Sequence, residues 1–233
     1  IVRYTFLEFI TPTPLNMMFY RLMGMKIGKG AHINTTNISD PALIEIEDKV
    51  TIGGSVHLIA HYASKGFLIV ERVRIRKGAT IGLKATVMGD VEIGDDCAIG
   101  PHAVLYGGAR LGNRVKIFQG ASIANLPQDL KFGGEKTLFI IGDDTVVREF
   151  ATLHRGTLET GKSQVGKNCL LMAYSHIPHD CTVGDNCIIA NSVQIGGHSH
   201  IEDWVIIGGL AGVHQFSRIG EHSMIAGIAK VPQ

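Results

Sequence analysis

The sequence predicts an all-β chain wound as a solenoid of parallel strands with three flat faces per turn. Three observations carry that prediction. The first is a period of six: every sixth residue from Ile69 to Ile123, and again from Val165 to Val231, is Ile, Val or Leu. The second is a stripe of small residues two positions earlier, running Val73, Ala79, Ala85, Val91, Cys97, Ala103 and later Cys169, Ser175, Cys181, Cys187. The third is composition. With 29 Gly, 45% apolar residues and only 6% aromatics, the chain has the makings of short strands joined by many turns.

A period of six matches neither a helix at 3.6 nor a simple strand at 2. It matches a short strand followed by a tight corner. The large residue points inward from each face, and the small residues are expected to turn the corners. Three units close one coil, and coils stack as parallel strands about 4.8 Å apart. Each coil buries its apolar face only against its neighbours. All four cysteines fall on the small stripe and none forms a CxxC pair, so they are read as packing residues.

The elements follow in chain order. Residues 1–25 are strongly apolar (Phe6, Leu7, Phe9, Leu15, Met17, Met18, Phe19, Leu22, Met23) with Pro12 and Pro14 between. One or two short helices capping the open end are expected, since bare end coils would expose strand edges; a helix lying on a membrane surface is the other reading. Residues 26–233 form the solenoid, with Ile27, Ile33, Ile46, Ile52 and Leu58 opening the inner stripe. The period slips at about 59–68. It breaks again at about 124–139, where Asp129 and Glu135 stand at the two core positions of what reads as one unpacked coil between Ile123 and Ile141. A shorter break at about 154–164 puts Glu159 at the missing core position. Such breaks emerge as loops on one face and carry function.

Charge and hydropathy narrow the function classes. Lys+Arg 22 against Asp+Glu 21 leaves a net charge of +1, which gives no basic surface for nucleic acid. No run of 18 apolar residues offers a membrane span. No charged segment followed by an apolar one reads as a secretory signal, so the cytoplasm is the default location. The chain opens at Ile1 without Met and stops inside a repeat at Val231-Pro232-Gln233, as a piece of a longer chain would.

Stacking turns spacing into geometry. His179 lies under Gly197 and Gly197 under Gln215, with His198 and His214 one residue to either side and His176 three residues before His179. All converge on one edge within roughly 10 Å. Imidazole is the side chain suited to proton transfer near neutral pH. Isolated surface histidines are the plainer reading, but four gathered around glycine backbone favour a site.

The hexapeptide pattern resembles the left-handed parallel β-helix acyltransferases, and that resemblance supplies the handedness. A γ-class carbonic anhydrase shares the fold and holds zinc through histidines five apart. His57 and His61 are four apart and His176 and His179 three, so no metal is expected.

Four segments are more specific: Ile123-Ala-Asn-Leu-Pro-Gln-Asp-Leu-Lys131, Arg148-Glu-Phe-Ala-Thr-Leu-His-Arg-Gly-Thr157, Leu171-Met-Ala-Tyr-Ser-His-Ile-Pro-His-Asp-Cys-Thr-Val-Gly184 and Ile207-Gly-Gly-Leu-Ala-Gly-Val-His-Gln-Phe216. Together they resemble the acyl-carrier-protein–UDP-N-acetylglucosamine O-acyltransferases of lipid A synthesis, over about residues 91–233. The resemblance implies transfer of a 3-hydroxyacyl chain from acyl carrier protein to the sugar 3-hydroxyl, without a cofactor. It implies His179 as general base, Asp180 as its orienting partner and the Gly197 N–H as oxyanion donor. Asp129 and Lys131 match residues that hold the nucleotide sugar. His176, His198, His214 and Gln215 match substrate-positioning groups, and Gly227 a position leaving room for the acyl tail. His154 is read as structural. In the family the cleft lies between subunits of a homotrimer, and a helical domain follows.

The sequence stops at Gln233, where that helical domain would be expected to begin. Residues 1–90 also depart from the family: Met23-Gly-Met-Lys-Ile-Gly-Lys29 and Thr35-Thr-Asn-Ile-Ser-Asp-Pro41 look more like hexapeptide acyltransferases of another branch. A chimera or an untypical relative would explain both. The competing readings are an acyltransferase using acyl-coenzyme A and another acceptor, and a non-catalytic trimeric β-helix scaffold.

Overall fold

The computed structural model describes residues 6–64 and 66–233. From Lys26 the chain winds as a left-handed parallel β-helix, three faces of ten parallel strands each. We call them A, B and C in the order the chain visits them, and the edges A/B, B/C and C/A. Along most of the prism the register is 18 residues: Gln164 pairs with Thr182, Thr182 with His200 and His200 with Arg218. The left-handed winding runs against the usual right-handed crossover, and the corners show how it is held. At nearly every corner one residue adopts a left-handed backbone, for example Asp180 (φ 57°), His198 (φ 60°) and Phe216 (φ 62°).

The inner stripe is as the period predicts. Ile75, Ile81, Val87, Ile93, Leu105 and Ile123 are fully buried, as are Leu171, Ile177, Ile189 and Ile207. Ile69 is an exception. It does not sit on the inner stripe but in an antiparallel hairpin, His61–Ser64 against Phe67–Val70, which projects from the prism; the next inner residues are Val73 and Ile75. The small stripe also needs correcting. Those residues do not turn the corners; they follow them and are buried inside, Ala79, Ala85 and Cys187 completely. The corner positions themselves carry large exposed side chains such as Trp204, Leu210 and Phe216, because a corner residue points outward and only its neighbour points into the crowded interior.

The segment between Ile123 and Ile141 is not an unpacked coil. Ser122–Asn125 ends face C of one coil and Leu138–Ile141 begins face A of the next. One corner therefore holds the whole excursion, and the pairing Ala109↔Phe139 spans 30 residues instead of 18. The break after Leu153 is the same device with a shorter insertion, giving Leu138↔Lys162. The hairpin leaves at the equivalent corner of an earlier coil, between strands His57–Ile59 and Val73–Ile75. All three excursions thus leave from edge C/A.

The apolar N-terminal segment forms two short helices, α1 (Glu8–Ile10) and α2 (Pro14–Leu22). Thr13 caps α2 through its side chain and Pro14 fills the first helical position, where a missing N–H costs nothing. Leu7, Tyr20 and Met25 are buried against the first coil, and the Asn16 amide donates to the Ile33 carbonyl at 2.8 Å. No helix among the described residues is long and apolar enough to cross a membrane.

Candidate active site

His179 stands at the C/A corner between strands His176–Ile177 and Thr182–Val183. Its Nδ1 lies 2.9 Å from Asp180 Oδ2. A carboxylate only accepts, so Nδ1 carries the proton and Nε2 keeps its lone pair. Asp180 is itself held from the short excursion. The Thr157 N–H donates to Oδ1 at 2.9 Å, the Thr157 hydroxyl to Oδ2 at 2.8 Å, and the Thr160 hydroxyl to Oδ1. Burial alone would raise the Asp180 pKa, but the hydrogen bonds from Thr160, Thr157 and His179 outweigh it and bring it down to about 2. Asp180 is therefore a fixed anion that sets the tautomer and orientation of His179.

One coil on, Gly197 faces the ring. A Cβ built on it would lie 2.7 Å from both Cε1 and Nε2 of His179, so only glycine lets backbone and imidazole approach so closely. Among the described residues no acceptor takes the Gly197 N–H. His198, next to it, sits edge-on to His179 with ring centroids 5.0 Å apart, and stacks flat on Phe216 at 4.5 Å. Its Nε2 is 3.9 Å from Asp180 Oδ2.

His176 lies half-buried beside this group. Its Nδ1 is 2.7 Å from the Thr152 hydroxyl, and it stands edge-on to His154 at 4.8 Å. Burial, and then the neighbouring charges of His176 and His179, push His154 down to about 4; it is a neutral, buried support. Burial likewise lowers His176. His214 and Gln215 are exposed at the next C/A corner, where His214 Nδ1 is 3.0 Å from the Gln215 carbonyl.

The structure thus joins His176, His179, Asp180, Gly197 and His198 directly, with His214 and Gln215 one coil further on. It does not bring the other predicted residues to them. Asp129 caps its own turn, accepting the Lys131 N–H at 3.0 Å. The long loop is tied toward the N-terminal coils by Lys136 with Glu71 at 2.8 Å, and to the start of the short excursion by Arg155 over Phe132. Gly227 lies between strands Met224–Ile225 and Lys230–Val231, on edge B/C. The reading from sequence missed Thr152, Thr157, Thr160 and Phe216. The threonines were hidden by the break, which shifts them off the 18-residue stacking rule.

His179, Asp180 and His198 offer ligand atoms within 4.8 Å of one another, the set a divalent metal would use. Asp180 already accepts four hydrogen bonds, however, so its lone pairs are committed to positioning. What the arrangement can do is take a proton at Nε2 of His179 beside a free backbone donor.

Fold and edge together define a hexapeptide-repeat β-helix with a histidine–aspartate site. Comparison with known proteins agrees. The family model "Bacterial transferase hexapeptide (six repeats)" matches residues 72–107 and 162–197. Over 172 residues the chain is 41% identical to an acyl-[acyl-carrier-protein]–UDP-N-acetylglucosamine O-acyltransferase of Herminiimonas arsenicoxydans, covering 68% of this chain and 66% of the relative. The crystal structure of UDP-N-acetylglucosamine O-acyltransferase from Moraxella catarrhalis superposes with a TM-score of 0.66 at 38% identity, over 80% of this chain and 66% of that one. The UDP-N-acetylglucosamine acyltransferase of Campylobacter jejuni gives 0.60 at 30% identity, over 89% and 68%. The chain belongs to the UDP-N-acetylglucosamine O-acyltransferase family. It spans just under two thirds of the length of the Herminiimonas and Moraxella relatives.

Proposed function

We propose that this chain carries the acyl-transfer site of an enzyme that moves a 3-hydroxyacyl group from acyl carrier protein to the 3-hydroxyl of UDP-N-acetylglucosamine, the first step of lipid A synthesis. The observation that carries the reading is His179 Nδ1 anchored on a buried anionic Asp180, with the imidazole ring lying against Gly197, whose N–H meets no acceptor among the described residues. Nε2 takes the proton from the sugar hydroxyl as its oxygen attacks the thioester carbonyl. The charge that gathers on the carbonyl oxygen meets the Gly197 N–H, and Asp180 stabilises the imidazolium that forms. Collapse of the tetrahedral species breaks the C–S bond, and the imidazolium returns its proton to the thiolate.

The same reading takes the working form as a homotrimer. Val146, Leu170, Ile188, Ile206 and Met224 stack in register on the outside of face B, with Met224 78% exposed. Beside them on edge B/C stand the exposed Phe150, Tyr174, Leu210 and Ile228. The earlier residues of that column are His32, Thr51, Thr80, Ala98 and Lys116, so the apolar patch is confined to the C-terminal half. Packing edge B/C of one copy against edge C/A of the next is a head-to-tail contact, which a threefold axis closes into a ring. It would also carry Gly227 toward a neighbouring copy's His179, while the loop bearing Asp129 and Lys131 leaves from the same edge C/A as His179. Four buried, unpaired cysteines suit the cytoplasm.

The test is acyl transfer to UDP-N-acetylglucosamine from a 3-hydroxyacyl carrier protein, with the trimer followed by sedimentation. His179→Ala is expected to lose about two to four powers of ten with the trimer intact. Near-wild-type transfer by His179→Ala would end the assignment. Replacing the donor by the matching acyl-coenzyme A separates the acyl-coenzyme A reading, and absence of nucleotide-sugar binding in an intact trimer would favour the scaffold.

A further inference from the structure

The N-terminal coils hold a second group built like the first, on the same edge. Asp40 occupies a C/A corner in the left-handed conformation (φ 58°), as Asp180 does (φ 57°). Like Asp180 it is bonded to the Nδ1 of a histidine, here His61 at the root of the hairpin. His176 lies on the outside of face C and bonds Thr152 below it; His57, on the outside of the same face, has its Nε2 3.3 Å from the Asn37 amide below it. One coil beyond each histidine stands a glycine. Gly89, with an ideal Cβ 3.0 Å from the Glu71 Cβ and 3.3 Å from the Ala60 carbonyl oxygen, stacks over the two chain ends from which the hairpin leaves. As with Gly197, no acceptor among the described residues takes its N–H. His57 and His176 are on the second and seventh strands of face C, so the two groups lie about 24 Å apart and work as separate sites.

The surroundings indicate what such a group would take. Side chains of His61 and Asp40 are 38% and 34% exposed, so the pair is within reach of a ligand from solvent. His61 pairs across the hairpin with Val70, and Val70 lines a groove of about 410 Å³ together with Leu43, Arg72, Arg74 and Arg110. The acids around it are paired: Glu92 with Arg74, Asp90 with Arg110, Glu71 with Lys136. Among the described residues Arg72 has no carboxylate partner, which leaves one cation for a phosphate. Exposed Phe67 and Leu68 on the hairpin supply apolar surface for an acyl chain.

We propose that His61 and Asp40 form a second acyl-transfer site, with His61 as general base, a phosphate-bearing pantetheine thioester as donor and a hydroxyl compound as acceptor. His61 Nε2 takes the acceptor's proton, its oxygen forms the new ester bond, the C–S bond breaks, and the leaving thiolate receives the proton.

Bromoacetyl-coenzyme A tests this, because it delivers an electrophilic carbon to where a thioester carbonyl would sit and loses bromide to any imidazole poised there. Peptide mapping by mass spectrometry reads the alkylation rate of each histidine in the whole chain. His61 is expected to react roughly tenfold or more faster than His222, which is exposed on edge A/B. Excess acetyl-coenzyme A should suppress the His61 adduct and not that of His222. Asp40→Asn should slow His61 by about tenfold with an unchanged melting temperature, since a pair that merely ties the hairpin down would lose stability instead. The comparison of His61 with His222 stands even if Asp40→Asn fails to fold. Repeating it on His179→Ala keeps the outcome separate from that of the first site. A His61 that reacts no faster than His222, or that acetyl-coenzyme A does not protect, overturns the proposal.

Discussion

Edges A/B and C/A are built from the same turn and treat it in opposite ways. On edge A/B the corner N–H groups are answered by the next coil. Asp95 donates to Asn113 at 2.9 Å, Asn113 to Asp143 at 2.8 Å, Lys167 to Asp185 at 2.7 Å and Asp185 to Asp203 at 2.8 Å. On edge C/A the matching N–H groups of His179, Gly197 and Gln215 meet no acceptor among the described residues. A solenoid has every reason to satisfy its corners. On edge C/A, imidazoles stand beside the open donors and the three excursions leave the prism. The contrast teaches that one edge is spent on holding coils together and the other is kept for a ligand.

The sharpest way to break that contrast is to add one methyl group on each edge. Gly197→Ala drives a Cβ into the His179 ring, a side chain that can swing aside. It is expected to cost about a hundredfold in acyl transfer and to leave the melting temperature near its original value. Gly94→Ala on edge A/B places a Cβ 2.2 Å from the Gly112 carbonyl oxygen, which is backbone and cannot yield cheaply. It should cost roughly 1–3 kcal/mol of stability, read by denaturant unfolding, with turnover per folded molecule unchanged. Equal loss of activity from both would show that the edges are not specialised.

Asp185→Ala sharpens the same point more gently. It removes the acceptor of the exposed Lys167 N–H and should cost about 0.5–1.5 kcal/mol, with the transfer rate unaltered. The mildest effect is in acid. The His154 pKa is depressed to about 4 by burial, so between about 6.5 and 4 the unfolded chain binds the extra proton. Stability from this group is therefore complete above about 6.5 and lost as pH falls toward 4. The melting temperature should decline across that window, and His154→Gln should flatten the decline. An unchanged slope would place the titration elsewhere.

Much of this was legible because the solenoid is one-dimensional. A period of six located the inner stripe, and stacking put His179, Gly197 and Gln215 in one column before any coordinates. The failures share a cause, which is loss of phase. Ile69 fits the period but lies in the hairpin, where alternation of an antiparallel pair sets burial instead. Thr157 and Thr160 hold Asp180 across 23 and 20 residues, neither of them a coil length. The corner conformation was invisible for another reason: Asp, His, Trp, Phe and Leu all adopt it, so no residue type marks it.

Parallel stacking in constant register makes this molecule a modular chassis. A turn of 18 residues duplicated midway would push the two histidine–aspartate pairs apart by one increment of about 4.8 Å and disturb neither. Separation between chemistries on such a scaffold is therefore quantised, and a designer can set it by counting turns.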